Sequence, residues 1–330
     1  VSEFDLISKI QKCLPPMSAR VQIGIGDDAA VISSPRGQMV ATVDMLVENV
    51  HFDWAFCTPH EVGYKALAVN LSDVAAMAAE PLYALISLAI PPTLDDVKIL
   101  QFYEGMTTLA HEYAIDIIGG NISRSPQSFV ADVTVLGQSV HPVLRSGLKA
   151  GDSIAVTGPL GASALGLYLL QTQGRQALEL APLSTRQYLR PRPRIREALQ
   201  LQQSQCVTAM IDISDGLSSD SWHLARASHC EIRLNEAELP LTSEYRLLAT
   251  PPSASAVELA LHGGGDYELL IGLDTLKWGE AVMRDLALRD LVHIIGEVEA
   301  DCVVDGKVLL RTDHGLVPLP PKGWDHLQMT

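Results

Sequence analysis

Residues 24–54 read GIGDDAAVISSPRGQMVATVDMLVENVHFDW, and the placing of acids in this stretch governs how the rest of the chain is read. Asp27 and Asp28 stand side by side on a glycine-rich turn. Two apolar runs, Val31–Ser34 and Met39–Val43, flank a Gly-Gln turn and read as neighbouring strands. The second run delivers another carboxylate, Asp44. If the strands pair, the ends carrying Asp27/Asp28 and Asp44 need not lie close, so pairing alone builds no site. The expectation is that these acids converge on a divalent cation, helped by acids further along. Gly24-x-Gly26-x-x-Ala29 also fits a dinucleotide fingerprint in form. Its strand is barely three residues, however, and two carboxylates would stand where a pyrophosphate must approach. A turn with helix-capping acids is the plain alternative.

Length and composition narrow the class. A chain of 330 residues with 47% hydrophobic content suits two domains with substantial cores, and at 5% aromatic those cores draw on Ala, Leu, Val and Ile. The net charge of −15 argues against a nucleic-acid or anionic-membrane surface. Such a protein can still bind phosphates through metal ions, glycine-rich backbone or a few placed arginines. Five widely spaced cysteines without a C-x-x-C pair fit reduced thiols, not a disulfide framework or a zinc site. VSEFDLISKIQKCL at the start reads as an amphipathic helix, not a secretion signal. The near-neutral stretch Pro81–Pro92 is too short to span a bilayer. A soluble, cytoplasmic protein is expected.

Taken in order, a helix over 1–14 precedes the two strands. Thr58-Pro59-His60-Glu61 is a helix start, with Thr58 as N-cap, and the helix runs to about Ala79. Its small residues, Gly63, Ala66, Ala68, Ala75, Ala76 and Ala78, suit close packing against a sheet. Asp73 inside it is an anomaly, because ionised carboxylates are seldom buried without a partner. A strand (Tyr83–Ile90), a helix (Leu94–Tyr113), a short strand from Asp116 ending in Gly119-Gly120-Asn121, and a strand (Phe129–Val140) complete a first α/β domain over 1–140. His141–Asp152 reads as the connection to a second α/β domain over 141–330. There Ile154–Thr157 and Thr208–Ile213 are strands, and Ala162–Gln171, Ile195–Gln203 and Leu217–Ala227 are helices. Tyr267–Leu273 is a further strand and Leu276–Ala287 a further helix.

The second domain repeats the theme of glycine-flanked acids. Asp212-Ile213-Ser214-Asp215-Gly216 ends a strand and opens a helix. Asp215 can be a plain N-cap, but a cap does not explain Asp212 between two isoleucines. Gly263-Gly264-Gly265-Asp266-Tyr267 is either a flexible turn or backbone held close to something. A Walker A loop, the protein-kinase signature and H-E-x-x-H, G-x-S-x-G or serine-triad patterns are absent. Hard oxygen donors without Cys or His select magnesium, which usually bridges carboxylates to substrate phosphates. The residues by themselves reach a magnesium-dependent enzyme acting on phosphate groups.

Taken together, GIGDDAAV, TVDMLVENVHF, GYKALAVNLSDVAAMAAEP, GGNISRSP, DISDGL, GGGDYELL and the late GWDH resemble the thiamine-monophosphate kinases, within the aminoimidazole ribonucleotide synthetase-like ATP-binding family. The resemblance implies an α/β fold of the α+β type: an N-terminal mixed-sheet domain that dimerises through its sheet, then a larger C-terminal α/β domain. ATP and thiamine monophosphate are the implied substrates, bound in a cleft, and the γ-phosphoryl group passes directly to give thiamine diphosphate. Several Mg2+ ions are implied, with Asp27, Thr42, Val43, Asp44, Asp73, Asn121, Asp212 and Asp215 as the metal positions. Of these, Asp27, Asp44, Asp73 and Asp212 are the implied catalytic acids. Tyr103, Gly120, Asn121, Arg145 and Ser214 match nucleotide contacts. His51, Gly265, Asp266 and Trp324 match thiamine contacts, and an aromatic ring suits a cationic thiazolium. A homodimer that binds neither nucleic acid nor membrane is expected. Two positions depart from the family pattern: Asn121 replaces an Asp, and Gly265 replaces a Glu. The alternatives are a binding protein that has lost activity, or a relative with another ATP-dependent reaction such as selenophosphate synthesis or hydrogenase maturation.

Overall fold

The computed structural model describes residues 3–25, 30–32, 37–247, 253–301 and 304–324. They group into two compact units, one formed by Val1–Val74 and Ala79–His141, the other by Ala75–Ala78 and Pro142–Thr330. Both are mixtures of helix and sheet. Among the described residues no helix is long and apolar enough to cross a membrane.

The first unit runs α1 (Glu3–Cys13), β1 (Val21–Ile23), β2 (Val31–Ile32), β3 (Gln38–Val47), α2 (Pro59–Ala76), β4 (Glu80–Ile90), α3 (Asp96–Glu112), β5 (Asp116–Arg124) and β6 (Val130–Ser139). Its main sheet has the order β3-β6-β4-β5. β6 is antiparallel to both neighbours, whereas β4 and β5 are parallel and joined through α3, as a parallel pair requires. Among the described residues, the two strands expected to be neighbours do not pair. β2 pairs with β1 in a separate two-stranded sheet, while β3 registers with β6 along its whole length, Gln38 opposite Ser139 and Val47 opposite Val130. A ten-residue strand gains far more ladder from β6 than the two residues of β2 can offer.

Local signals fix the helix starts. The Glu61 carboxylate accepts the Thr58 N–H at 2.8 Å, and the Thr58 hydroxyl accepts the Glu61 N–H at 3.3 Å, a reciprocal cap. Asp95 caps α3 by accepting the Lys98 N–H at 2.9 Å. Gly63 serves a helix–helix contact, not only sheet packing: a Cβ there would overlap the Phe102 carbonyl oxygen, and one at Gly105 would overlap that of His60. Close approach of α2 and α3 therefore depends on both glycines. The few aromatics concentrate here, with Phe129 meeting Phe102, Phe52 and Trp54 at centroid distances of 5.5, 6.3 and 5.9 Å.

The second unit runs β7 (Ser153–Val156), α4 (Ala162–Gln173), α5 (Ala177–Leu180), α6 (Pro182–Leu189), α7 (Ile195–Gln203), β8 (Val207–Asp212), α8 (Leu217–Ser228), β9 (Cys230–Asn235), α9 (Ala256–His262), β10 (Leu269–Leu273), α10 (Thr275–Arg284), β11 (His293–Asp301), β12 (Lys307–Thr312) and β13 (Gly315–Pro318). The seven strands are ordered β13-β12-β9-β11-β7-β10-β8, and β9 with β12 is a parallel pair in an otherwise antiparallel sheet. All five residues of β10 are buried, which accounts for its unbroken LLIGL. Edge strand β8 carries Asp212 at its final position.

Candidate metal and phosphate sites

In the first unit the donors are sorted by strand alternation. Met39, Ala41, Val43 and Met45 lie on one face of β3, and Val40, Thr42, Asp44 and Leu46 on the other, where Val40 and Leu46 are buried. The Thr42 hydroxyl donates to the Asp73 carboxylate at 2.5 Å, linking β3 to α2. This supplies a partner for the acid that stood out in an apolar helix. Asp44 is mid-strand, opposite Val133, and not at a strand end. Val43 lies on the opposite face and is 56% exposed; its side chain is hydrocarbon, so the main-chain carbonyl is its sole oxygen. Asp27 lies outside the described residues, as does Asp28.

Gly120 and Asn121 lie inside β5, paired with Ile86 and Ser87, and are exposed. A Cβ at Gly120 would overlap the Ile86 carbonyl oxygen. β5 is the opposite edge of the sheet from β3, three strand spacings or about 14 Å away. Within one chain the sheet therefore does not bring Asn121 to Asp44. Tyr103 is buried in α3, edge-on to Phe102 at 5.8 Å, and burial raises its hydroxyl pKa. The His51 Nδ1 accepts the Val47 N–H at 3.0 Å, which leaves the ring proton of the neutral imidazole on Nε2. Buried Lys65 donates to the His51 carbonyl at 3.4 Å, and desolvation pushes its pKa down to about 8.

In the second unit three distant motifs meet. From Asp212, only 3% exposed, the chain turns through Ile213–Gly216 into α8, with Gly216 at φ +116°. On one side the glycine loop docks: the Gly265 N–H donates to the Ser214 carbonyl at 2.7 Å, and the Tyr267 N–H to that of Ile213 at 2.8 Å. A Cβ at Gly264 would lie 2.7 Å from the Ser214 oxygen, so the approach depends on glycine. Residues 322–324 also dock on this turn. The Trp324 N–H donates to the Asp215 carbonyl at 3.0 Å and the Gly323 N–H to the Ser219 hydroxyl at 2.9 Å. The Trp324 side chain is 51% exposed.

Two acids have roles that the motif reading did not supply. Asp220, buried one turn into α8, accepts the N–H groups of Asp215 at 3.2 Å and Gly216 at 3.0 Å. Desolvation first, then the charges of Asp212 and Asp215, drive its pKa well up. In the sequence its signal is an acid within a serine run, Ser218-Ser219-Asp220-Ser221. Asp266 is fully buried, its oxygens accepting the Gly161 N–H at 2.7 Å and the Ser163 N–H at 2.9 Å. It caps α4, whose own N-cap is Gly161 at φ +77° with no side chain to give. Burial lifts its pKa to about 7, against the pull of those amides. The Arg145 side chain is exposed, and its carbonyl takes the Ser228 hydroxyl at 3.2 Å. Among the described residues no group of three His, Cys, Asp or Glu side chains is arranged to hold a metal on its own.

Residues 26–139 match the family model of the AIR synthase related protein N-terminal domain, and residues 149–308 that of its C-terminal domain. The chain is thus a two-domain protein of the AIR synthase related class. It is 36% identical over 333 residues to the thiamine-monophosphate kinase of Bacillus subtilis, covering 99% of this chain and 100% of that one. The crystal structure of thiamine-monophosphate kinase from Stenotrophomonas maltophilia superposes with a TM-score of 0.81 at 31% identity, covering 94% of this chain and 96% of that one. The structure of AaThiL complexed with AMPPCP and TMP gives a TM-score of 0.79 at 34% identity, with coverage of 98% and 97%. The chain belongs to the thiamine-monophosphate kinase family and is an enzyme of the phosphotransferase class.

Proposed function

We propose that this chain transfers the γ-phosphoryl group of ATP directly to the phosphate of thiamine monophosphate, giving thiamine diphosphate. Within the structure, the observation that carries this reading is the meeting of the Asp212–Gly216 turn, the Gly263–Gly265 loop and Trp324 in the second unit. Acids that repel a phosphate unless a cation is present stand there beside an exposed aromatic side chain suited to a flat, cationic acceptor.

The donor set fits Mg2+. Every candidate is a hard oxygen: the carboxylates of Asp27, Asp44 and Asp73, the Thr42 hydroxyl and the Val43 carbonyl from the first domain, and Asp212 and Asp215 from the second, with Asn121 as an uncharged amide oxygen. Among the described residues no three of these side chains form a complete shell, which suits an ion that keeps waters and takes phosphate oxygens as ligands. Like charges crowd Asp220 near Asp212 and Asp215, an arrangement that a cation relieves. When bound, the ions neutralise phosphate charge as it shifts during transfer. The chain's own residues bind and orient. Thr42 holds the Asp73 carboxylate by its hydroxyl, and the Gly265–Ser214 bond fixes the turn that carries Asp215. His51 presents a neutral Nε2–H, a donor that adds no positive charge beside a thiazolium. Tyr103, Gly120, Asn121, Arg145 and Ser214 serve the nucleotide. At the Gly265-Asp266 position the contact falls to Gly265 and the main chain, because the Asp266 carboxylate is committed to α4.

The enzyme works as a cytoplasmic homodimer in this reading. Met39, Val43 and Met45 are 53%, 56% and 49% exposed on one face of an edge strand, an apolar surface that a second copy would cover. Coupled measurement of ADP release with and without thiamine monophosphate, with the product separated chromatographically, tests the activity. Magnesium-dependent thiamine diphosphate is the expected result; its absence with both ATP and GTP overturns the proposal.

A further inference from the structure

The residues that carry Trp324 dock on the turn before α8 and on its first residues. Three successive main-chain N–H groups are spent on the start of α8: Lys322 on the Ser218 hydroxyl at 3.3 Å, Gly323 on the Ser219 hydroxyl at 2.9 Å, and Trp324 on the Asp215 carbonyl at 3.0 Å. Ser218 is held in turn by the His262 Nδ1 at 2.9 Å, and Ser219 is buried. The approach is close enough to demand glycine. A Cβ at Gly323 would overlap the Asp215 carbonyl oxygen and lie 2.6 Å from the Ser219 hydroxyl.

The peptide that receives this strap is pinned from below. Asp220 takes the N–H groups of Asp215 and Gly216, so the main chain of Asp215 donates inward to Asp220 and accepts outward from Trp324. We propose that Ser219 and Gly323 are positioning residues that set Trp324 against the Asp215 turn. The grip on the organic part of the acceptor and the placing of its phosphate then depend on one rigid peptide. Neither residue need touch substrate. This inference rests on the reading of Trp324 as a thiamine contact, so the test separates the two.

Ser219→Ala removes the acceptor for the Gly323 N–H, and Gly323→Ala drives the strap off Asp215. Each is expected to raise KM for thiamine monophosphate about tenfold, the loss of roughly one hydrogen bond's worth of placement. KM for ATP and the thermal midpoint stay close to wild type. Ser219→Thr, which keeps the hydroxyl, restores the wild-type KM. A readout without turnover comes from titrating Trp324 fluorescence with thiamine monophosphate in a Trp54→Phe, Trp222→Phe, Trp278→Phe background. There both strap variants should weaken the binding curve by the same factor. Trp324→Leu is the control. If it binds and turns over thiamine monophosphate normally, the thiamine role of Trp324 fails and this inference with it. If Trp324→Leu raises KM while Ser219→Ala and Gly323→Ala do not, the positioning role is overturned and the thiamine role stands.

Discussion

Asp266→Asn replaces a buried ionisable group by an uncharged one of the same shape, and the consequence can be worked out from its surroundings. In the unfolded chain this carboxyl titrates at the ordinary 3.8; in the fold, desolvation lifts it to about 7, outweighing the Ser163 and Gly161 amides that pull it down. Between those values the folded state keeps a proton that the unfolded state has released. Stability contributed by this site is therefore present in full below the unfolded pKa and falls as pH rises through the window. At about 1.4 kcal/mol per unit, ionisation costs the native state about 3 kcal/mol more at pH 8 than at pH 5. Asparagine escapes that cost but turns an amide NH2 toward one of the two N–H donors, a loss of about 1–2 kcal/mol. The variant should thus be less stable than wild type at pH 5 and more stable at pH 8, the curves crossing in between. Urea unfolding followed by circular dichroism at four pH values measures this. A gap between variant and wild type that stays constant with pH refutes the argument, because the proton then does not reside on Asp266.

Lys65 runs the opposite way: desolvation lowers its pKa to about 8 from 10.5, so the stability of wild type relative to Lys65→Met should rise by about 3 kcal/mol between those pH values, as thermal melts of the two proteins side by side will show. Gly105→Ala forces a Cβ onto the His60 carbonyl and should cost about 1–3 kcal/mol by overpacking α2 against α3, read as a lower urea midpoint. Arg194 holds the buried Glu268 carboxylate by two bonds of 2.8 and 2.5 Å. Arg194→Met leaves that charge without its cation and should cost about 3–5 kcal/mol, much of it recovered in the Arg194→Met, Glu268→Met double variant.

The helix start at Thr58 and the strand–turn–helix at Asp212–Leu217 were legible because each is specified within a few residues, by capping or by a switch of period. Strand partnership was not. Val31–Ser34 and Met39–Val43 are adjacent in sequence, yet β3 takes the much longer partner β6, and nothing local announces β6 as the better match. The glycine theme was visible, but not its division of labour: Gly63 and Gly105 admit a helix crossing, whereas Gly264 and Gly323 admit backbone to the Asp215 turn. Acids on glycine-flanked turns looked alike in the sequence. Partners set Asp266 apart, because its oxygens are spent on the Gly161 and Ser163 amides, and the turn itself is held by Asp220 from inside α8 through the amides of Asp215 and Gly216. β9 alternates Cys230, Ile232 and Leu234 inward, but it follows α8 with only His229 between them, and no turn signal marks its start.

The departure at Gly265 can be weighed on the same terms. Its φ of +81° belongs to the left-handed region, and a Cβ there would sit 2.9 Å from the Ser163 hydroxyl, so a longer residue would be strained by about 1–2 kcal/mol. A glutamate at this position would also bring a second negative charge near a carboxyl that burial already holds at about 7, raising it further. Glycine relieves both costs and leaves the Gly265 N–H bonded to Ser214. Gly265→Glu should accordingly lower stability at neutral pH. If it also lowers KM for thiamine monophosphate, the main-chain contact is a partial substitute for the carboxylate; an unchanged KM means that the turn by itself suffices.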